Sequence, residues 1–198
     1  MKTLTLLTML LANAFSQAEV NADIASRYIW RGLASGESPV VQPSIEYSKF
    51  GLNIGAWASY SISSVESMNV ENDFYLSTSI GGLDITFTDY YFPISGELFT
   101  MDTHTFEIML NYSYLVDLTL ATNIYNDSQY STYMQIAKEI DGLTLFVGGV
   151  ASKSEYYGNK EPAIIELGAK ASKGQFSVSY VLNPNDKKNY LTLVYSFK

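Results

Sequence analysis

The sequence predicts an all-β fold, a transmembrane, antiparallel, up-and-down β-barrel of about 12 strands. Three observations predict it. Long segments alternate apolar and polar residues with period two, and no sustained helical period follows residues 1–18. The alternating segments come to an even number, as single-chain bacterial barrels require. Short turns and longer polar connections alternate along the whole chain, whereas the Greek-key crossings of a soluble sandwich mix lengths at both ends.

In order, the first segment, residues 23–31, sets Ile24, Tyr28 and Trp30 against Asp23, Arg27 and Arg31. The second, 41–48, sets Val41, Pro43, Ile45 and Tyr47 against Gln42, Ser44, Glu46 and Ser48. The third, 52–60, sets Leu52, Ile54, Ala56, Ala58 and Tyr60 against Asn53, Gly55, Trp57 and Ser59. Residues 73–80 and 83–92 flank Gly81-Gly82, and 130–140 and 143–150 flank Asp141-Gly142, both strong hairpin signals. Segments 105–114 and 118–124 flank a short link at 115–117; 163–172 and 175–182 flank Lys173-Gly174; and 189–197 closes the set. The longer connections include residues 32–39, 61–72, 93–103 and 152–162.

Residues 1–18 read as an export signal: Lys2, an apolar run from Leu4 to Leu11, and Ser16-Gln17-Ala18 as a small-x-small cleavage site. Residues 19–198 would form the barrel. The apolar run is far shorter than the roughly 20 residues of a spanning helix. With no cysteine, neither disulfides nor thiolate metal sites are available. A formal net charge of -8 argues against nucleic acid, and no cofactor or metal site is expected. The acidic stretch with Glu66, Glu71 and Asp73 lacks the ligand spacing of a calcium loop and reads as solvated charge.

Charge fixes which face points where. An arginine toward lipid near the midplane would cost about 2–4 kcal/mol, so Arg27 and Arg31 point to the lumen. Glu46, Glu107, Glu139, Glu166 and Lys170 share the inward phase of their strands, while Asp89 and Lys138 fall outward near strand ends. The 16 tyrosines suit membrane interfaces. Tyr28, Trp30, Tyr60 and Phe74 would form one girdle, and Tyr47, Tyr112, Tyr114, Phe176 and Phe197 the other.

Ser26-Arg27-Tyr28-Ile29-Trp30-Arg31-Gly32-Leu33, then Gln42, then Gly51-x-x-x-Gly55-x-Trp57-Ala58-Ser59, resemble the TorF family of bacterial porins. The similarity covers residues 24–59; beyond it the chain agrees in strand rhythm and in motifs such as Asp89-Tyr90-Tyr91-Phe92-Pro93. One departure is that Phe197 is followed by Lys198, whereas such barrels end on the aromatic residue. The resemblance implies a barrel of the bacterial outer membrane acting as a porin. Its partners would be outer-membrane lipid, a small polar solute and the barrel assembly machinery.

Asp23, Arg27, Arg31, Glu46, Trp57, Glu107, Tyr133, Glu166 and Lys170 are the expected pore-lining residues. The only two arginines would stand about 13 Å apart on one strand face. Either they form a cationic ladder for solute, or they pair with Glu46, Glu107 or Glu166 and neutralise a packed interior. Inward Tyr75, Tyr133, Phe146 and Trp57 bear on whether the bore is open. The function expected is passive diffusion of small polar solutes. The alternatives are a structural or adhesive surface barrel without a pore, and an outer-membrane lipid-modifying enzyme. For the last, His104 is the only histidine, and no Ser-His-acid spacing accompanies it, so no catalytic residue is assigned.

Overall fold

A computed structural model describes residues 18–63, 70–93 and 100–197. Its strands are β1 (Ala18–Ala25), β2 (Ile29–Trp30), β3 (Leu33–Ala34), β4 (Val40–Lys49), β5 (Leu52–Ser61), β6 (Val70–Ile80), β7 (Leu83–Tyr91), β8 (His104–Ser113), β9 (Asp117–Tyr125), β10 (Thr132–Ile140), β11 (Leu143–Val150), β12 (Ala163–Lys173), β13 (Phe176–Asn183) and β14 (Lys188–Phe197). β1 and β4 to β14 make a closed, antiparallel, twelve-strand barrel in which β1 completes the ring between β14 and β4. The predicted architecture and strand number hold. The predicted leader lies outside the described residues except for Ala18, as does Lys198.

Short turns collect at one end of the barrel and longer connections at the other, because the strands run up and down in sequence order. The turn at Asp141 and Gly142 shows why it is short: both residues have positive φ, 51° and 82°, the two-residue geometry whose twist matches the flanking strands.

The first predicted strand needs correction. It spans Ala18–Ala25 rather than residues 23–31, and the chain leaves the wall at Ser26. Ser26 marks the exit with two bonds to β14: its N–H donates to the Leu193 carbonyl at 2.9 Å, and its Oγ accepts from the Leu193 N–H at 3.0 Å. Beyond it, β2 and β3 pair only with each other, as a hairpin inside the barrel. Tyr28 and Trp30 therefore do not belong to an outer girdle; they pack in the lumen. Tyr60, Tyr112, Phe176 and Phe197 do face outward near strand ends, whereas Phe74 faces outward from the middle of β6.

Every wall strand exposes alternate large apolar side chains, among them Ile54, Leu76, Ile136 and Leu191. The inner face instead buries Glu107, Asn123, Glu166, Asn183 and Thr192. A concavity of about 890 Å³ bordered by Leu110, Leu120, Met134 and Ile136 lies on this apolar outer wall rather than over the luminal hairpin. Glu71 and Asp73 also correct their reading as solvated loop charge. They sit on β6, each 7% exposed, and Glu71 accepts a long bond from Tyr28 Oη at 3.4 Å. Glu66 lies outside the described residues.

Two β-bulges re-aim side chains into the lumen. Between Gly148 and Gly149 the β11–β12 register skips Ile165, so that Ile165 and Glu166 are both buried while Ile164 faces out. Between Phe106 and Glu107 the β8–β9 register skips Ile124, and Glu107 comes to face Asn123 across the strands. An extra residue on one strand bends it and increases its twist, and here both bulges flank the carboxylates that meet the internal hairpin or its neighbours.

Candidate luminal site

The hairpin is built by its turn. Arg31 has φ 47° and Gly32 φ 77°, so Trp30-Arg31-Gly32-Leu33 makes a tight reversal with both central residues left-handed. Glycine is required at the second of these positions for two reasons. It tolerates the positive φ, and a Cβ there would stand 2.0 Å from the Ile165 carbonyl oxygen. Asn183 Nδ2 donates to the Gly32 carbonyl at 3.1 Å, so the turn is pinned to β12 and β13 at once.

That seating delivers Arg31 across the lumen. Its Nη1 and Nη2 donate to Glu107 Oε2 and Oε1 at 2.5 and 2.8 Å, a bidentate fork, and Nη1 also reaches Tyr157 Oη at 2.6 Å. The guanidinium lies 4.5 Å from the ring centres of both Trp30 and Tyr133. Glu107, 1% exposed, takes a further bond from Tyr90 Oη at 2.9 Å. A planar cation with five donors suits this role, since it satisfies a carboxylate in two places while stacking on rings.

A second segment closes over the first. In the connection at residues 151–162, Ser154 and Asn159 exchange backbone bonds at 3.0 and 2.9 Å, and Ser154 Oγ accepts from the Tyr157 N–H at 3.0 Å. This small turn turns Tyr157 inward, where its ring lies parallel to that of Trp30 at 5.5 Å, 4° between planes. Tyr156 meets Trp30 edge-on at 5.9 Å. With Ala121, Tyr133, Val150, Ile165 and Leu33, these rings fill the barrel toward its long-loop end.

The wall aromatics obstruct less than their inward phase suggests. Tyr75 lies over Gly55 and Phe146 over Gly168, each within van der Waals reach of where a Cβ would stand, so each ring lies flat against a neighbouring strand. The filling comes from residues 27–34 and 156–157 instead.

The expected pore-lining residues divide accordingly. Arg31, Glu107 and Tyr133 meet in the packed network; for Arg31 the pairing alternative is the one observed. Glu166 accepts from Tyr133 Oη and, at 2.6 Å, from Gln135 Nε2. Glu46 takes a bond from Tyr75 Oη at 2.9 Å, and Asp23 lies by the short-turn end of β1 with Glu19. Arg27, Trp57 and Lys170 line a separate cavity of about 300 Å³ below the hairpin. Arg27 makes no ion pair among the described residues; its one close ring is Tyr190, at 5.7 Å. It stands on the inward segment rather than on a wall strand, so the four-residue ladder with Arg31 does not form.

Sequence reasoning missed Tyr157 and Asn183, whose roles depend on contacts more than 120 residues away along the chain. The only local signal for Tyr157 was the turn-forming pair Ser154 and Asn159 around it. It also missed the partner of His104. Asp89 Oδ1 lies 2.8 Å from His104 Nδ1, and Tyr91 stacks on the same imidazole at 4.7 Å, on the outer face at the long-loop rim. The other outward charge, Lys138, donates to the Leu115 carbonyl in a neighbouring short turn.

Asp127 holds the connection that braces the Tyr157 segment. Its carboxylate accepts from Asn123 Nδ2 and from the Gln129 and Ser131 N–H groups, each at 3.0 Å, and Ser131 Oγ meets Ser154 Oγ at 2.5 Å. Partial burial raises its pKa, but the bonds from Ser131, Asn123 and Gln129 outweigh this and hold it below the usual 3.8. A depressed carboxylate contributes stability that is fully present above its unfolded value and is lost as pH falls through the folded one. Protection of the Gln129 and Ser131 amides, measured as exchange relative to the intrinsic rate at each pH, is therefore expected to fall below about pH 3.8 in the wild type and to lose that pH step in Asp127→Asn.

Compared with known proteins, the chain matches no family model and no curated protein.

Proposed function

We propose that the chain is a barrel of the bacterial outer membrane that passes small polar solutes by diffusion, with the inward hairpin as its gate in the closed position. The single observation that carries this is the pairing of an apolar outer wall with a polar lumen that is closed by a hairpin rather than by the wall itself. Soluble monomers rarely expose contiguous apolar patches beyond a few hundred Å², yet here all wall strands contribute to one. The alternation of short and long connections, and the resemblance of residues 24–59 to a porin family, support the same reading.

The membrane part has its own test. Ile136 is 51% exposed at the middle of β10, so an arginine there would sit in water if the barrel were soluble and in hydrocarbon if it spans. Ile136→Arg is expected to lower folding stability in lipid vesicles by about 2–4 kcal/mol. No loss would remove the membrane reading.

Single-channel recording in a planar bilayer tests the rest. The wild type is expected to show rare openings from a closed baseline and a variant with an unseated hairpin steady conductance. His104→Ala is expected to leave conductance unchanged. A folded barrel that conducts in neither the wild type nor the unseated variant would sink the channel and return attention to the Asp89–His104 pair and the loops.

A further inference from the structure

The cavity of about 300 Å³ beneath the hairpin differs in character from the packing above it. On its wall, Lys170 of β12, Ser179 of β13 and Thr192 of β14 are register partners and stand abreast on the inner face. Three adjacent strands place them in a row about 10 Å long. Arg27 faces the cavity from the inward segment, and Trp57 forms part of the opposite wall. Lys170 is exposed and lies three residues before Lys173, the last residue of β12, so the cavity is reached from the short-turn end of the barrel.

Three features call for a ligand. First, neither Arg27 nor Lys170 has an ion pair among the described residues, in a chain whose net charge is -8. The one carboxylate on the lining, Glu166, is already engaged by Tyr133 and Gln135, which leaves one cation in excess. Secondly, Thr192 is 5% exposed and its hydroxyl oxygen has no hydrogen-bond partner. Buried polar groups are normally paired, and an unpaired one beside a cavity points to what the cavity receives. Thirdly, at about 30 Å³ per water, the volume holds roughly ten waters, or a molecule of comparable heavy-atom count.

The geometry points to a binding site for a small hydroxylated carboxylate, of the size of a sugar acid, with its anionic end on Arg27 and Lys170 and its hydroxyls toward Ser179 and Thr192. Trp57 supplies an apolar wall for the carbon skeleton, as aromatic rings in mostly apolar pockets with a few placed polar groups commonly do. The inference rests on the lumen being the working part of the barrel, as the channel reading does, but not on the hairpin ever opening.

The test is calorimetric titration of the folded full chain in detergent micelles with sodium glucuronate and, separately, with glucose. Glucuronate is expected to bind at least tenfold more tightly than glucose. Arg27→Gln and Lys170→Gln are each expected to weaken glucuronate at least tenfold and to change glucose little. Arg27 makes no hydrogen bond in the packed network, so the far-ultraviolet spectrum of Arg27→Gln is expected to match the wild type; Lys170→Gln, at an exposed position, provides a second variant. Equal binding of the two sugars, no binding of glucuronate, or undiminished glucuronate binding in both variants would overturn the site. Binding without conductance would keep the site and remove the channel; conductance without binding would do the reverse.

Discussion

Arg31→Ala is expected to destabilise the folded barrel by about 3–5 kcal/mol, read as a shift of the urea midpoint at unchanged slope. The size follows from what is left behind. Glu107, 1% exposed, would keep the Tyr90 hydroxyl but lose both guanidinium bonds, and Tyr157 would lose its partner as well. An uncompensated buried carboxylate is far more costly than the pair is favourable, because both charges have already been taken out of water. The double variant Arg31→Met with Glu107→Leu is therefore expected to recover most of the loss, since it removes the stranded charge and keeps the volume. If instead the double variant were as unstable as the single one, the bidentate pair would be contributing stability in its own right. Recovery would mean that the pair's function is to fix where the hairpin tip sits.

That distinction bears on how much of the molecule its sequence displays. Strand number, phase and the alternation of turns are local properties: Asp141-Gly142 specifies its own turn, and Ile54 or Leu76 faces outward because its neighbours two residues away do. The same local reasoning extended the first strand through Tyr28 and Trp30, since Ile24, Tyr28 and Trp30 keep the period. What ends the strand is not local. Ser26 is held by Leu193, Gly32 is seated on Ile165 and Asn183, and Arg31 finds Glu107, contacts at separations from 76 to 167 residues that no periodicity encodes. Arg31, Glu107 and Glu166 were read as luminal and Glu71 and Asp73 were not, and the sorting of these charges into a closed network and a free cavity was not legible, because it depends on which side of the hairpin each one lies. The pairing of Asp89 with His104 stayed hidden for a similar reason: the long connection between β7 and β8 leaves their register undetermined until the strands are seen together.

Gly32→Ala is expected to convert a mostly silent barrel into one with steady conductance, while the strand content stays that of the wild type. The added Cβ would fall 2.0 Å from a backbone oxygen and 2.9 Å from the adjoining carbonyl carbon of Ile165, the fully buried bulge residue of β12 whose neighbours Ile164 and Glu166 are both paired to β11. Neither atom belongs to a flexible side chain, so the hairpin must move instead of its seat. The φ of 77° adds to the strain, because it is a conformation that alanine rarely adopts. Once the tip lifts, Arg31 is drawn from Glu107 and Trp30 from beneath Tyr157, so tryptophan emission is expected to shift to longer wavelength together with the rise in conductance. Gly174→Ala isolates the backbone term: its φ is 62°, but nothing lies within 4 Å of the new Cβ. That variant is expected to cost about 1 kcal/mol and to leave the baseline closed. A red-shifted but silent Gly32→Ala would show that displacing the hairpin does not open a path, and the lumen would then be a cup entered from the short-turn end.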